Sequence, residues 1–320
     1  MLPMQTVAVL YLDEEDRKFW SPSLDRIPEL FSITVAGCLS LALDRVRRLR
    51  GSLGLLVISA RLYPGKYPEL ARLLRELAPG LELLLISSED SSPALGQLFA
   101  DDIRHLAIDS RQGVPSRGCL PAVVSLLIEQ RHWEIGSCLK PGTTVYSFQL
   151  RSSEDKEPLI AALEAVLTGD GEEIALLREK GALLADELLE NALYNAPRGS
   201  RGDRLFQKGE RRDLLSRERI VFSFGFDGET LALKLTDNWG SLAPDSVLEY
   251  LARNQEEDSV ADGDGGRGLF IIWRFLDQFH VEVLPGQQTA VGGHLQLSSR
   301  LDPEAPRGFH IAEYKKEMAA

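Results

Sequence analysis

A carboxylate and a carboxamide stand four residues apart in the segment at 185–196, which reads A-D-E-L-L-E-N-A-L-Y-N-A. At the helical period its polar residues fall on one face and its Leu and Ala residues on the other, which predicts an amphipathic helix. Glu187 and Asn191 then face the same way, one turn apart. A carboxylate accepts a proton or orients a water, and an amide oxygen ligates a hard cation. Alone the pair is a weak signal, because solvated helix faces often carry the same residue types.

Two later segments carry groups that suit a nucleotide. An alternating apolar strand runs into Asp237 and a turn at Gly240, and a carboxylate at a strand end suits the exocyclic amine of an adenine. A glycine-rich stretch at 262–268 opens an apolar helix at Leu269, and glycines there let backbone N–H groups approach a phosphate. Taken singly, the first is ordinary turn chemistry and the second is a loop before a helix. Their order along the chain predicts an ATP site.

In that order the segments resemble the N, G1 and G2 boxes of the gyrase/histidine-kinase (GHKL) ATPase superfamily. The string E-L-L-E-N-A-L-Y-N-A-P resembles most closely the branch of anti-sigma-factor serine kinases, and the resemblance covers about residues 140–300. It implies ATP and Mg²⁺ as cofactors, with Glu187 as the catalytic base and Asn191 as the metal ligand. The nucleotide-binding residues that it implies are Asn191, Asn195, Asp237, Gly240, Gly266, Arg267, Gly268 and Leu269.

The function implied by the resemblance is an ATP-binding bacterial signalling regulator, in its specific form a protein-serine kinase that acts on an anti-sigma antagonist. Some positions depart from the family pattern. Trp239 and Ser241 stand where the G1 box usually carries glycine, and Asn195 stands where the N box often carries His or Tyr. The alternative is a non-catalytic switch or scaffold, in which ATP occupancy or the N-terminal domain controls the binding of a protein partner.

The N-terminal region at 1–125 alternates strands with helices, which predicts a flavodoxin-like parallel α/β domain. The order of its strands and helices resembles that of the receiver domain of response regulators. Asp13 and Glu14 stand at the position where a receiver carries its acidic metal-binding pair. The strand that would end in the phosphoacceptor aspartate reaches Ser59 instead, and I-D-S-R at 108–111 stands where a helper lysine is expected. With these departures, the resemblance implies a degenerate receiver that is not phosphorylated on aspartate and serves docking or homodimerisation. The pattern of strands and helices alone fits any other flavodoxin-like domain equally well.

A linker at 126–142 is predicted to lead to a second domain at 143–301, which is followed by a polar tail at 302–320. The motif helix is predicted over 172–196, because Pro197 must end it. Helices and hairpins alternate through this domain, and the resemblance implies an α/β sandwich with helices on one face of a mixed sheet.

Two loops border the nucleotide boxes. The loop at 197–219 holds eight basic and four acidic residues. A solvated insertion is the preferred interpretation, and a partner-docking surface or a source of an arginine for the phosphates remain open. The loop at 254–265 is acidic and glycine-rich, and it lies where the superfamily has its ATP lid.

Composition restricts the classes of function. The 320 residues carry a formal charge of −12, which argues against a general binder of nucleic acid or anionic membranes. No apolar run reaches the length of a membrane span, and the N-terminus lacks the basic region of a signal peptide. The three scattered cysteines predict neither a disulfide framework nor a zinc site. We therefore expect a cytoplasmic protein, and the resemblance implies that its partner is another signalling protein.

Overall fold

The structure is a computed structural model. It describes residues 6–11, 14–24, 30–34, 39–49, 53–88, 94–109, 119–129, 131–256, 267–297 and 307–314. The chain divides into two compact units, the first formed by residues 1–132 and 304–310 and the second by residues 133–303 and 311–320. Both units combine helices with sheet, so the predicted α/β class is confirmed. Within the described ranges, no helix has both the length and the apolar character that a membrane crossing requires.

The first unit contains a parallel sheet. Its strands are β1 (Thr6–Tyr11), β2 (Leu30–Thr34), β3 (Leu53–Ser59), β4 (Glu82–Ser88) and β5 (His105–Asp109). Its helices are α1 (Glu14–Leu24), α2 (Leu39–Leu49), α3 (Leu70–Leu77), α4 (Leu95–Ala100) and α5 (Cys119–Glu129). The strands pair in the order β2-β1-β3-β4-β5, and each of these pairings is parallel. This order is that of the flavodoxin-like folds.

The core of the first unit lies where β1, β3 and β4 meet α1 and α5. Strand residues such as Val9, Val57 and Ile86 pack there with Trp20 and Val123, and each is 2% exposed or less. Strands buried on both faces read as nearly continuous apolar runs, which is why β3 and β4 are predictable from the sequence.

Strand β2 differs from the sequence prediction, which has a helix over 13–30 followed directly by a second helix at 35–49. The first helix ends at Leu24, and Leu30–Thr34 forms a strand that pairs in parallel with Val7–Tyr11. Pairing with a distant strand supplies the hydrogen bonds of β2, and local helix propensity does not reveal such pairing.

The second unit contains an antiparallel sheet. Its strands are β6 (Val145–Gln149), β7 (Ile220–Phe226), β8 (Thr230–Asp237), β9 (Gln278–Leu284) and β10 (Gln288–Gln296). Its helices are α6 (Lys156–Val166), α7 (Glu172–Glu190), α8 (Pro244–Glu256) and α9 (Arg267–Phe275). The strands pair in the order β9-β10-β8-β7-β6, and each of these pairings is antiparallel.

Helix α7 packs directly on β8. A Cβ atom at Gly181 would lie 3.0 Å from side-chain atoms of both Leu163 and Leu231, so the missing side chain lets α7 approach α6 and the sheet closely. Alternate strand residues point to opposite faces, so Leu231, Leu235 and Asp237 of β8 face the helices. The helical face of the sheet is therefore the face that presents Asp237.

The end of the motif helix is wider than an α-helix. After α7 the chain continues as a π-helical turn over Asn191–Asn195, in which the N–H of Ala196 donates to the carbonyl oxygen of Asn191 at 2.8 Å. Single π turns inside helices frequently occur at functional sites, because the extra residue changes the direction of the side chains.

The prediction of a polar tail at 302–320 is wrong for part of that range. Gly308–Glu313 forms a further strand, β11, in which Phe309 and Ile311 are fully buried. Phe309 and His310 pair antiparallel with β5. Two apolar residues at alternating positions are enough for a buried strand, and the charged residues on either side of them hide this signal in the sequence.

Candidate functional site

A cavity of about 380 Å³ opens in the second unit between α7, its π turn, α8, α9 and the strands β8 and β10. A volume of this size lies within the usual range for a small-molecule site. Of the predicted residues, Asn191, Asn195, Asp237 and Leu269 line it. Apolar walls come from Leu188, Leu235, Leu242, Tyr250 and Val291.

Asp237 is the buried carboxyl group of this cavity. It ends β8 at 4% exposure, and its Oδ1 accepts a hydrogen bond from the backbone N–H of Trp239 at 2.8 Å. Burial raises the pKa of Asp237 to about 7, and the charge of Glu218 adds to this rise, while N–H groups of Trp239 and Gly240 oppose it. A carboxylate has more acceptor sites than these N–H groups use, so Asp237 retains capacity for a ligand donor.

Gly240 lies behind Asp237 and does not line the cavity. Its φ of +57° is left-handed, and a Cβ there would lie 2.4 Å from the carbonyl oxygen of Leu284 and 2.5 Å from the backbone nitrogen of Gln287. The carbonyl of Gly240 also accepts from the N–H of Gly286 at 2.9 Å. This turn therefore needs glycine and fixes the end of β8.

Glu187 and Asn191 meet the N-terminus of α9 at Gly268. A Cβ at Gly268 would lie 2.5 Å from Oε2 of Glu187 and 3.3 Å from Nδ2 of Asn191. Burial is the largest influence on Glu187 and raises the pKa of its carboxyl group; the acidic neighbours Glu190 and Asp186 raise it further, against the positive charges of two lysines. A carboxylate with a raised pKa is better matched to accepting a proton near neutral pH.

Among the residues that the structure describes, Glu187 has no ion-pair partner, unlike its acidic neighbours Asp186 and Glu190. Nζ of Lys156 lies 2.6 Å from Asp186 and 2.9 Å from Glu190, and Nζ of Lys208 lies 2.5 Å from Glu190. The hydrogen bonds to these lysines lower the pKa of Glu190 although burial opposes them. Of the three acids, Glu187 is therefore the one suited to act as a base.

Of the two polar atoms of the Asn191 side-chain amide, the oxygen has a hydrogen-bond partner among the described residues and the nitrogen has none. Its Oδ1 accepts a hydrogen bond from Nδ2 of Asn195 at 2.7 Å. Its Nδ2 is buried and has no hydrogen-bond partner among the residues that the structure describes. An amide oxygen has two lone pairs, so Oδ1 retains one acceptor site.

Thr289 lines the same cavity and is not among the residues predicted from the sequence. It is 3% exposed and lies directly opposite Asp237 in the pairing of β10 with β8. Its hydroxyl is buried without a hydrogen-bond partner in the described part of the chain. Only the strand register brings Thr289 to Asp237, and the sequence does not show that register.

Two arginines of the basic loop also reach the cavity. Arg198 and Arg204 pair with each other through an isolated β-bridge and line the cavity near Asn195. Of the three interpretations of the loop at 197–219, this placement favours the one in which arginines face the phosphates of a ligand. Arg212 has a different role, because it is buried in a bidentate ion pair with Glu218 at 2.7 Å.

Parts of the predicted site lie outside the described residues. These are Gly266, the side chain of Arg267 and most of the acidic loop at 254–265. In the first unit, Asp13 and the residues at 110–111 are outside as well.

Asp16 of α1 is a buried acidic residue that contacts Ser59, the last residue of β3. It is 2% exposed, and its Oδ1 accepts hydrogen bonds from Trp20 Nε1 at 3.2 Å and from Ser59 Oγ at 3.0 Å. Glu14, which the sequence places in an acidic metal-binding pair, is exposed and lies 3.4 Å from Arg17. Asp16 and Glu14 thus both contact neighbouring side chains of the first unit.

Comparison with known proteins gives only weak likenesses. No protein-family model matches the chain, and no curated protein matches it. A pilus assembly-related protein of Burkholderia pseudomallei is 16% identical, with 42% of this chain and 96% of that protein covered and a TM-score of 0.33. The response regulator LqsR of Legionella pneumophila is 11% identical, with 94% of this chain and 92% of that protein covered and a TM-score of 0.29. At such scores neither likeness carries an argument about function.

Proposed function

We propose that the chain is an ATP-binding signalling regulator of the cytoplasm, and specifically a protein-serine kinase of the anti-sigma-factor type. One observation carries the proposal: residues from three separate sequence motifs, Asn191, Asp237 and Leu269, line a single cavity. Glu187 adjoins this cavity through its contact with Gly268. The convergence on one cavity of three motifs that are far apart in the sequence supports the proposal.

The purine would lie at the Asp237 end of the cavity. The carboxyl group of Asp237 would accept a hydrogen bond from the exocyclic amine of adenine, and the hydroxyl of Thr289 would take a second polar contact. Leu235 and Val291 supply apolar surface for the ring. Buried polar groups that are satisfied by one base give discrimination against bases that cannot satisfy them.

The phosphates would lie toward the π turn and the N-terminus of α9. Backbone N–H groups at a helix N-terminus and the side chains of Arg198 and Arg204 favour negative charge. The Oδ1 of Asn191 would hold Mg²⁺, which supplies charge neutralisation for the phosphates when it is bound. The donor set fits, because an amide oxygen is a ligand that this hard cation accepts.

Glu187 would act as the base. The hydroxyl oxygen of a serine in the protein substrate bonds to the γ-phosphorus, the bond to the ADP oxygen breaks, and Glu187 accepts the hydroxyl proton. Its raised pKa and its freedom from the lysine pairs support this role.

Label transfer from γ-labelled ATP to a co-purified antagonist domain tests the proposal. Glu187→Gln should retain ATP binding and lose about 10²–10⁴-fold in rate, the usual contribution of a general base. Asn191→Ala should lose Mg²⁺-dependent binding as well. Glu179→Gln on the exposed face of α7 is the matched control and should behave as wild type.

The outcomes separate the two functions. Transfer by wild type and by Glu179→Gln, but not by Glu187→Gln, supports the kinase. If wild type binds ATP tightly and transfers no label to any candidate protein, the kinase proposal fails and a non-catalytic ATP-dependent switch replaces it.

A further inference from the structure

A cysteine and two histidines lie together on the face of the second unit's sheet that is opposite to the cavity. Cys138 belongs to a 3₁₀ turn over Ile135–Cys138, His280 to β9 and His294 to β10. One ligand atom from each side chain lies within 4.8 Å of those of the other two. Since Thr289 and Val291 of β10 line the cavity, the alternation of the strand places His294 on the other face.

The cluster is held by the buried ring of Trp133. The indole stacks on the imidazole of His280, with ring centroids 4.4 Å apart and an interplanar angle of 3°. Its Nε1 donates to Sγ of Cys138 at 3.4 Å. The backbone of Trp133 is fixed in turn, because its N–H donates to Glu282 at 2.5 Å and its carbonyl accepts from Nζ of Lys234. Ligands that are fixed in this way before binding lose little freedom when a metal arrives.

The donor set is one thiol and two imidazoles. A thiolate with imidazoles suits Zn²⁺, whereas Mg²⁺ and Ca²⁺ prefer oxygen ligands. Both histidines are 2% exposed, and Cys138 is half-buried and forms no disulfide. Cys138 would bind the metal as the thiolate, the form of a cysteine that ligates metals.

We propose that Cys138, His280 and His294 bind one Zn²⁺ through Sγ and a ring nitrogen of each histidine, with water as the fourth ligand. The thiol proton is released to solvent when the metal binds. Tetrahedral Zn–S and Zn–N bonds of about 2.3 and 2.0 Å place the ligand atoms roughly 3.3–3.5 Å apart. A pair of ligand atoms at the 4.8 Å limit would therefore have to approach by roughly 1.4 Å. The ion would fasten the segment that follows residue 132 to β9 and β10. This proposal does not depend on ATP binding.

The proposal runs against the expectation that three scattered cysteines predict no zinc site. The ligands are separated in sequence by 142 and 14 residues, as their numbers show. Zinc motifs that are recognised from sequence have pairs of ligands a few residues apart, so this arrangement is visible only in the folded chain.

The test uses the full-length protein after removal of metals with a chelator. Zn²⁺ should bind in a one-to-one ratio and raise the midpoint of thermal unfolding by several degrees. X-ray absorption of the zinc-loaded wild type should show one sulfur and two imidazole nitrogens. Co²⁺ should give a thiolate charge-transfer band that Cys138→Ser abolishes, while His132→Gln, a histidine outside the cluster, should keep it.

Two results would overturn the proposal. One is an X-ray absorption spectrum of the wild type without sulfur, which decides the matter even where Cys138→Ser does not fold. The other is a cobalt thiolate band that survives in Cys138→Ser, or that is unchanged when His280 and His294 are both replaced by Gln.

Discussion

At the scale of single residues, Asp237 connects stability with binding. Its carboxyl group is 4% exposed, and burial raises its pKa to about 7. In the unfolded chain the pKa of an aspartate is about 3.9. Because the folded state holds the proton more tightly, this group contributes stability at low pH, and that contribution is lost as the pH rises through about 7. Above that pH the folded chain holds a buried negative charge at Asp237.

Asp237→Asn should therefore stabilise the ligand-free protein most at pH 8, less at pH 5 and hardly at all at pH 3, because the aspartate of the unfolded chain is ionised above about pH 4. The Asn oxygen can still accept from the N–H of Trp239, and no buried charge forms. Urea unfolding of wild type and variant across this pH range measures the difference. Asp170→Asn, on an exposed loop, is the control. A variant that is less stable than wild type at pH 8 contradicts the account of Asp237.

At the scale of elements, the turn after β8 depends on Gly240. Gly240 and Gly228 both have positive φ, at +57° and +90°. They differ in their surroundings: a Cβ at Gly240 would meet backbone atoms at 2.4–2.6 Å, whereas a Cβ at Gly228 would meet nothing within 4 Å. Of these two glycines, Gly240 is the one that needs both a left-handed backbone and the absence of a side chain.

Gly228→Ala should cost about 1 kcal/mol in the free energy of unfolding, the usual cost of a left-handed residue with a side chain. Gly240→Ala should cost more, because the backbone of the turn after β9 must move. It should also weaken ATP binding, since Asp237 moves with the turn. Denaturant unfolding and calorimetry measure the two effects. Equal destabilisation by the two variants would show that the close contacts of Gly240 are unimportant.

At the scale of the whole molecule, the first unit has the strand order of flavodoxin-like folds but no aspartate at the end of β3, where Ser59 stands. Acetyl phosphate should therefore leave residues 1–125 unmodified, because a serine hydroxyl does not replace an acceptor carboxylate. Intact-mass measurement before and after incubation checks this. A base-labile adduct of one phosphoryl group in this region would contradict the prediction.

The sequence predicts those parts of the fold that have a local signal. The strands β3 and β4 are continuous apolar runs, and α7 has a clear helical period, so all three are predictable. Strands β2 and β11 are not predictable from the sequence. Their stability comes from pairing with β1 and β5, which lie outside the local sequence window. Local propensity contains no information about such partners.

The same distinction applies to the sites. Asn191, Asp237 and Leu269 each lie in a recognisable motif, and the structure brings them to one cavity. Thr289 joins them only through the register of β10 with β8. Cys138 joins its two histidines only because a turn folds over the sheet. These residues have no local signal, so single-sequence reasoning cannot select them.

Calorimetric titration of ATP with Mg²⁺ into wild type and Asp237→Asn tests whether the cavity of the second unit binds ATP. We expect one site in wild type and binding that is weaker by about 1–3 kcal/mol in the variant, because an adenine hydrogen bond is lost in a buried place. This loss would occur although the variant is the more stable protein at pH 8. Absence of binding to wild type, or equal affinity of the two proteins, would contradict the claim.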